Sequence, residues 1–512
     1  MKIAIAQINT ITGNIGYNAE KIKEYSAKAK EQGAELVVFP QLSLPGGFAK
    51  DLYLRKDFLN NCESVINKLA KELSVPVVFG CAYRGENAAV YIKNGQADPV
   101  AFKTLFGREK KYFNGNALQI NADGFSCCVY SGREELMQSA KQADELSSET
   151  LIVLANEPFY AGRKEEILAE ILECAGKFSL NIAFANGVGG QDGFVCFGSS
   201  FAVNKGGFVE SYAKQFSEDL IFADFILSSQ VYTEETSAEQ QVYDALVLGL
   251  KDYVSKNGFK KIVLGVSGGV DSALVAVIAK DALGPENVTG IFMPSEFTSK
   301  QSKDDAELLC KINNIKLLDM PINGIFKAFK SSLSDVFKGT KRDLTEENLQ
   351  SRIRGVLLMA YSNKFNALVV NTGNKSEIAA GYSTLYGDSV GGYGAICDLE
   401  KTFLYKICAY RNSVSPDIPQ SIIDREPTAE LRENQKDSDS LPPYDILDAI
   451  IEKYTASFDC ADETKLSNDE KQIFNTISRA EYKRRQLPFG TKVSKQSLND
   501  IIIPVTNGYK ND

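Results

Sequence analysis

The sequence predicts an α/β protein in two parts, the second a doubly wound parallel sheet. Strand-like apolar runs alternate with helical periods along most of the chain. From residue 261 the alternation becomes a strict strand–helix–strand rhythm, which implies parallel strands with right-handed crossovers. A polar, acidic stretch at residues 228–240 separates this region from a first half in which several strands follow one another directly. At 512 residues the chain is too long for one ordinary domain, and the expected limits are 1–235 and 236–512.

The first half opens on an apolar strand over residues 2–8. A helical period covers 17–32, and a strand over 35–39 stops at Pro40, which cannot donate to a ladder. Further strands are expected at 75–82, 88–92, 125–130, 151–155, 181–186 and 194–203. Helices are expected at 54–73, 133–146 and 163–178. Strands that adjoin without a helix imply a mixed sheet in a layered α/β domain.

In the second half a strand over 261–266 runs into Ser267-Gly268-Gly269-Val270-Asp271-Ser272. The glycines permit backbone angles that bulkier residues resist, and let successive N–H groups converge on an anion. Ser272 is expected to open a helix over 272–283, whose dipole adds positive potential at the same spot; Gly284-Pro285 ends it. The loop lacks the Gly-Lys-Ser/Thr ending of the common nucleotide loop. A glycine-rich turn between strand and helix occurs in many α/β proteins. The flanking serines and Asp271 favour a pyrophosphate cradle closed by a metal-holding carboxylate.

A strand over 288–292, a helix over 300–312 and a strand over 316–320 follow. The next helix spans 345–363, with Thr345 as N-cap and Glu346 and Glu347 in its first turn. A strand over 367–371 then delivers Thr372-Gly373-Asn374-Lys375-Ser376-Glu377. Ligands bind at the carboxyl ends of parallel strands, where both loops lie. Glu377 there can share a magnesium ion with Asp271, or serve as an ordinary first-turn acid. Residues 421–445 are polar and proline-bearing and read as a mobile loop.

Composition narrows the chemistry. The apolar fraction of 44% fits a globular chain with a sizeable core. A net charge of −9 speaks against nucleic acid as a partner. No apolar run is long enough for a membrane span, and the first residues carry no basic-then-apolar leader. The ten cysteines are scattered with no CxxC pair, so a cytoplasmic location is expected. The chain has no histidine. That excludes a Ser-His-Asp triad, an imidazole base and an imidazole metal ligand, and leaves any acid–base work to carboxylates, Lys, Tyr or Cys.

GVSGGVDSA and TGNKSE, with EENLQSRIRG before the second, STLYGD after it and KRRQ at 483–486, resemble NAD synthetase, over roughly residues 243–509. The first motif is shared with other ATP pyrophosphatases; the later ones single out this family. The resemblance implies a Rossmann-like, adenine nucleotide hydrolase-like domain that uses ATP and Mg²⁺. A nicotinate carboxylate of deamido-NAD would attack the α-phosphorus, pyrophosphate would leave, and ammonia would displace AMP to give NAD. By motif, Gly265, Val266, Ser267, Gly268, Gly269, Val270, Asp271 and Ser272 would hold ATP, with Thr372, Lys401 and Thr428 adding contacts. Asp271 and Glu377 would hold the metal, and Asn348, Arg352, Glu377 and Lys483 deamido-NAD. Asn348 and Arg352 stand at helical i, i+4 spacing, so they share one face. An ordinary solvated basic helix end is the plainer reading of residues 483–485. The family's single-domain members carry a lysine where Leu385 stands here. By the same analogy the chain would form a homo-oligomer. A nucleotide-binding scaffold without turnover is the reading of a different class.

The first half, over roughly residues 1–230, resembles the nitrilase-like glutaminase domain (an αββα sandwich of the carbon–nitrogen hydrolases) fused to NAD synthetase. Its resemblance rests on Ala6-Gln7-Ile8-Asn9, Gly33-Ala34-Glu35-Leu36-Val37-Val38-Phe39-Pro40 and Asp51-Leu52-Tyr53-Leu54-Arg55. That family works through a Glu-Lys-Cys triad. Here Phe39-Pro40 is followed by Gln41, a neutral amide that cannot take a thiol proton. Lys103 fits the triad lysine. Cys127 and Cys128 lack the acids that follow the family's nucleophile and read as core thiols, so no nucleophile is assignable. The expectation is an inactive glutaminase-like domain and a synthetase fed by free ammonia; a glutamine-dependent enzyme with an atypical active domain is the alternative.

Overall fold

The computed structural model describes residues 1–225, 231, 236–456 and 466–507. Most of the polar stretch at 228–240 lies outside the described residues. The chain divides into two compact units, residues 1–191 with 195–236, and residues 192–194 with 237–512.

The first unit is a four-layer α/β/β/α sandwich. One sheet has six strands; at its centre Ile3–Gln7 pairs parallel with Leu36–Val38, which pairs parallel with Val77–Tyr83. The other has five, with Phe125–Val129, Thr150–Ala155 and Asn181–Asn186 running parallel. Successive side chains of a strand point to opposite faces. Ile3 and Ile5 therefore meet Phe125, Cys127 and Ile152 in the core between the sheets. Ala4 and Ala6 lie instead under the helices Ile15–Glu31 and Lys56–Glu72. Burial on both faces explains why these strands read as continuous apolar runs.

The expected single strand over 194–203 is two strands, Phe194–Phe197 and Phe201–Val203, in different sheets. Gly198 and Ser199 break it with positive φ angles of 69° and 53°. The strands Gln96–Phe102, Val209–Tyr212 and Asp219–Ala223 carry weaker alternation and escape the sequence reading.

The second unit holds a five-stranded parallel sheet. Its order across the sheet is Lys316–Asp319, Val288–Phe292, Lys261–Gly265, Ala367–Asn371, Tyr393–Gly394. Numbered along this unit the order is 3-2-1-4-5, so the topology reverses between Lys261–Gly265 and Ala367–Asn371. A crevice opens at such a reversal, at the carboxyl ends of the strands.

Two helix starts in this unit differ from expectation. The helix after the first strand is Val270–Leu283 with Gly269 as N-cap, so Ser272 lies inside its first turn. The long helix is Leu344–Phe365, and Asp343, not Thr345, caps it: the Asp343 carboxylate accepts from Thr345 N at 2.8 Å, with Glu346 closing a capping box. Residues 421–445 begin within the short helix Gln420–Asp424 and include a 3₁₀ turn, Asp437–Asp439. Among the described residues no helix is long and apolar enough to cross a membrane.

Candidate active site

The loop after Lys261–Gly265 is braced by its own hydroxyls. Ser272 Oγ accepts from Ser267 N at 3.2 Å and donates to Gly269 O at 3.0 Å; Ser267 Oγ accepts from Gly269 N at 3.2 Å. Gly268 has φ +80°, and a Cβ there would stand 2.3 Å from the carbonyl oxygen of Ser302. Only glycine meets both demands. Ser267, Gly269 and Val270 line the crevice, so the positive end of the helix Val270–Leu283 borders it.

The second loop arrives beside it. Asn374 caps the helix Lys375–Ala380: its Oδ1 accepts from Glu377 N at 3.0 Å, and its Nδ2 donates to Asp271 Oδ1 at 2.7 Å. One cap therefore joins the two loops. Asp271 Oδ2 pairs with Lys401 Nζ, and Glu377 Oε1 stands 3.8 Å from the same nitrogen. Lys401 is only 2% exposed. Burial opposes its charge, but Asp271 and Glu377 outweigh burial and raise its pKa. Burial, and then the Asp271 charge, push the Glu377 carboxyl up to about 8. Glu377 is thus a first-turn acid and a member of the charge cluster at once.

No group of three or more His, Cys, Asp or Glu residues suited to a metal occurs among the described residues. Two carboxylates that converge on one cationic nitrogen, beside a phosphate-type loop, do fit magnesium, which takes one or two carboxylates and completes its shell with phosphate oxygens. Asp271 and Glu377 are that pair.

Asn348, Arg352 and Lys483 meet a separate turn, residues 381–386. Thr384 Oγ1 donates to Asn348 Oδ1 at 2.8 Å, and Arg352 Nε donates to Leu385 O at 3.2 Å. Lys483 Nζ donates to Gly381 O and Ser383 O, both at 2.7 Å. Burial lowers the Lys483 pKa, with Asp388 opposing. Thr428 Oγ1 donates to Gln435 O at 2.6 Å and lines the crevice beside Thr372. On the far side of the loop an apolar recess is lined by Val266, Ile291, Met293, Leu358 and Val370, with Arg354 Nε donating to Met293 O at 3.0 Å. Asn374, Arg354, Arg425 and Asp437 escape the sequence reading. For Asn374, the cap position before Lys375–Ala380 was a usable signal.

In the first unit, Gln41 is 6% exposed just beyond Leu36–Val38. Lys103 Nζ pairs with Glu109 at 2.8 Å. Cys127 and Cys128 are buried inside Phe125–Val129, and burial pushes both thiols up. The residue at that strand's exit is Tyr130, whose hydroxyl donates to Glu170 Oε2 at 2.6 Å and accepts from Arg163 at 3.3 Å. Residues 130–132 hold no thiol.

Comparison with known proteins agrees with both halves. Residues 242–487 match the NAD synthase family model, and residues 2–104 the carbon-nitrogen hydrolase model. The glutamine-dependent NAD(+) synthetases of Acinetobacter baylyi and Thermotoga maritima are each 36% identical to the chain, covering 100% of it and 99% of the relative. Among solved structures, the glutamine-dependent NAD+ synthetase from Acinetobacter baumannii, in complex with ADP, superposes with a TM-score of 0.78 at 33% identity, covering 100% of this chain and 99% of that one. The enzyme from Cytophaga hutchinsonii shares the fold with a TM-score of 0.83 at 18% identity, covering 99% and 98% of the two chains.

Proposed function

The chain belongs to the family of glutamine-dependent NAD(+) synthetases, and from that premise we propose how its residues divide the work and where its nitrogen comes from. It is an NAD synthetase, a carbon–nitrogen ligase. Its substrates are ATP, deamido-NAD and either ammonia or glutamine.

In the proposed reaction the polyphosphate of ATP lies on the turn formed by Gly265, Val266, Ser267, Gly268, Gly269 and Val270, against the start of Val270–Leu283. The apolar recess beside Met293 suits the adenine ring. Thr372, Thr428 and Lys401 complete the nucleotide side. Asn348, Arg352 and Lys483 hold deamido-NAD around residues 381–386, so that its carboxylate oxygen faces the α-phosphorus. The oxygen attacks, the bond to pyrophosphate breaks, and an adenylate forms. Ammonia then attacks the adenylate carbon, AMP leaves, and the amide of NAD remains. Asp271 and Glu377 would hold a magnesium ion, which when bound neutralises charge on the phosphates. Neither step needs a covalent enzyme intermediate, so a chain with no histidine can carry both through positioning and charge.

The nitrogen source is assigned to free ammonia. The observation that carries this is the pairing of Gln41 with a strand exit at Tyr130 that bears no thiol. Without a carboxylate base and a nucleophile, glutamine cannot be opened by the usual route. The proposal places the division of the chain at 235/236, a cytoplasmic location and a homo-oligomer alongside this reading. The test is NAD formation with ammonium and with glutamine, side by side. Turnover with ammonium and none with glutamine is expected; comparable turnover with millimolar glutamine would overturn it.

A further inference from the structure

Residues 421–445 reach the start of the helix Lys300–Ile312, which backs the phosphate-type loop, through Arg425 and Glu430. Arg425 Nη1 donates to Ser302 Oγ at 2.6 Å, and its Nη2 pairs with Glu430 Oε1 at 2.5 Å. Ser302 Oγ in turn donates to Glu430 Oε2 at 2.9 Å, and Ser299 N donates to Glu430 Oε1 at 3.4 Å. Ser302 is the residue whose carbonyl would meet a Cβ on Gly268 at 2.3 Å. Arg425 is thus one residue removed from the loop backbone, and it lines the same cleft as Gly269, Asp271 and Glu377.

The charge of that cleft is lopsided. Asp271, Glu377, Asp388, Glu426, Glu430 and Asp437 line it, while its cationic lining residues are Lys401 and Arg425. Lys401 is committed to Asp271 and Glu377. A polyphosphate entering beside Ser267 and Gly269 brings several more negative charges, and Glu430 would repel it. Arg425, now paired with Glu430, is the second cation there, and its planar guanidinium matches phosphate oxygens in a two-pronged contact. Glu430 itself has φ +48°, the left-handed region that a non-glycine residue occupies at a cost.

We propose that Arg425 is a polyphosphate-binding residue of the ligation reaction: it exchanges Glu430 for the β- and γ-phosphate oxygens of ATP, and stays with them as pyrophosphate leaves. This rests on the reading of residues 267–272 as the polyphosphate loop.

Product inhibition of the full chain, with ammonium as nitrogen source, tests it. A charge-assisted contact to phosphate is worth about tenfold or more in binding. Arg425→Gln should therefore raise the KM for ATP and the inhibition constant of pyrophosphate each by about tenfold, while inhibition by AMP stays within about twofold. Arg425→Lys should recover part of the loss, and Glu430→Gln, which releases Arg425, should tighten pyrophosphate inhibition. Unchanged pyrophosphate inhibition in Arg425→Gln, or equal weakening for pyrophosphate and AMP, would overturn the proposal; the second pattern is that of a merely structural role. A Ser267→Ala, Ser272→Ala double variant separates the two readings. Weakened pyrophosphate inhibition there, with none in Arg425→Gln, sinks the exchange alone; no effect in either sinks the loop assignment as well.

Discussion

Asp271 stands between a neutral donor, Asn374, and a buried cation, Lys401. Replacing it by asparagine keeps the shape and removes the charge. Lys401 then loses its nearest counter-charge and the proposed metal pair loses a member. Pyrophosphate release that depends on deamido-NAD should fall at least about hundredfold in Asp271→Asn; an unchanged rate of release would refute the role. A second residue shows what an unrelieved charge does away with no site involved. Burial, and then the Asp281 charge, push Asp244 up to about 6. Its folded pKa lies above the unfolded value of 3.8, so the stability it contributes is present below that value and is lost as pH rises through about 6. The penalty above that point is on the order of 3 kcal/mol. Asp244→Asn should therefore melt several degrees higher than the parent near about pH 8 and no higher near about pH 4. Thermal melts at both pH values check this. Asp271 and Glu377 are legible in the sequence because they end glycine- and hydroxyl-rich turns that mark strand exits. Arg425 and Asp437 are not. Their stretch announces only polarity, and tertiary packing alone brings them over the loop.

At the scale of elements, the turn at Gly268 is the tightest constraint on the site. Alanine there must adopt φ near +80° and force its Cβ into the Ser302 carbonyl. The backbone term alone costs about 1–2 kcal/mol, and the steric term shifts the turn away from its hydrogen bonds to Ser267 and Ser272. Gly268→Ala should raise the KM for ATP by at least about tenfold while the KM for deamido-NAD, whose proposed contacts lie at residues 381–386, changes little. Equal rises in both constants would show a general collapse of the unit instead. The buried parallel strands are the elements most readable from sequence, since burial on both faces leaves an apolar run such as Lys261–Gly265 or Ala367–Asn371. Helix starts are less readable. Asp343 and Thr345 are both good caps, and only the backbone of the preceding residues decides that Asp343 accepts from Thr345 N. The helices Lys401–Val414, Tyr444–Ala456 and Asn468–Arg479 escape the reading as well, although the last carries a single buried stripe, Ile473, Phe474 and Ile477, behind a Ser467–Glu470 capping box that could have marked it.

Taken whole, the chain keeps two folds and, on the proposed reading, the residues for one chemistry. The first unit retains the layered core of a carbon–nitrogen hydrolase, with Ile3, Ile5, Phe125 and Ile152 packed between its sheets. Packing of this kind depends on apolar volume and survives the loss of catalytic groups. That is why fold class is legible at this scale while the fate of the site is legible only in part. Gln41 can be read directly after Phe39-Pro40. Tyr130 cannot, because Cys127 and Cys128 lie close by and only the strand's end at Val129 shows that neither is at the exit. The two losses make a prediction that one loss would not. Restoring the carboxylate in Gln41→Glu supplies a base with no thiol to activate, since burial pushes Cys127 and Cys128 up and the exit hydroxyl of Tyr130 is engaged by Glu170 and Arg163. Gln41→Glu should leave glutamine hydrolysis undetectable and NAD synthesis from ammonium at the parental rate, measured in the same preparation. Glutamate release from glutamine by this single variant would place a working nucleophile in the first unit and return the enzyme to the glutamine-fed chemistry of its relatives.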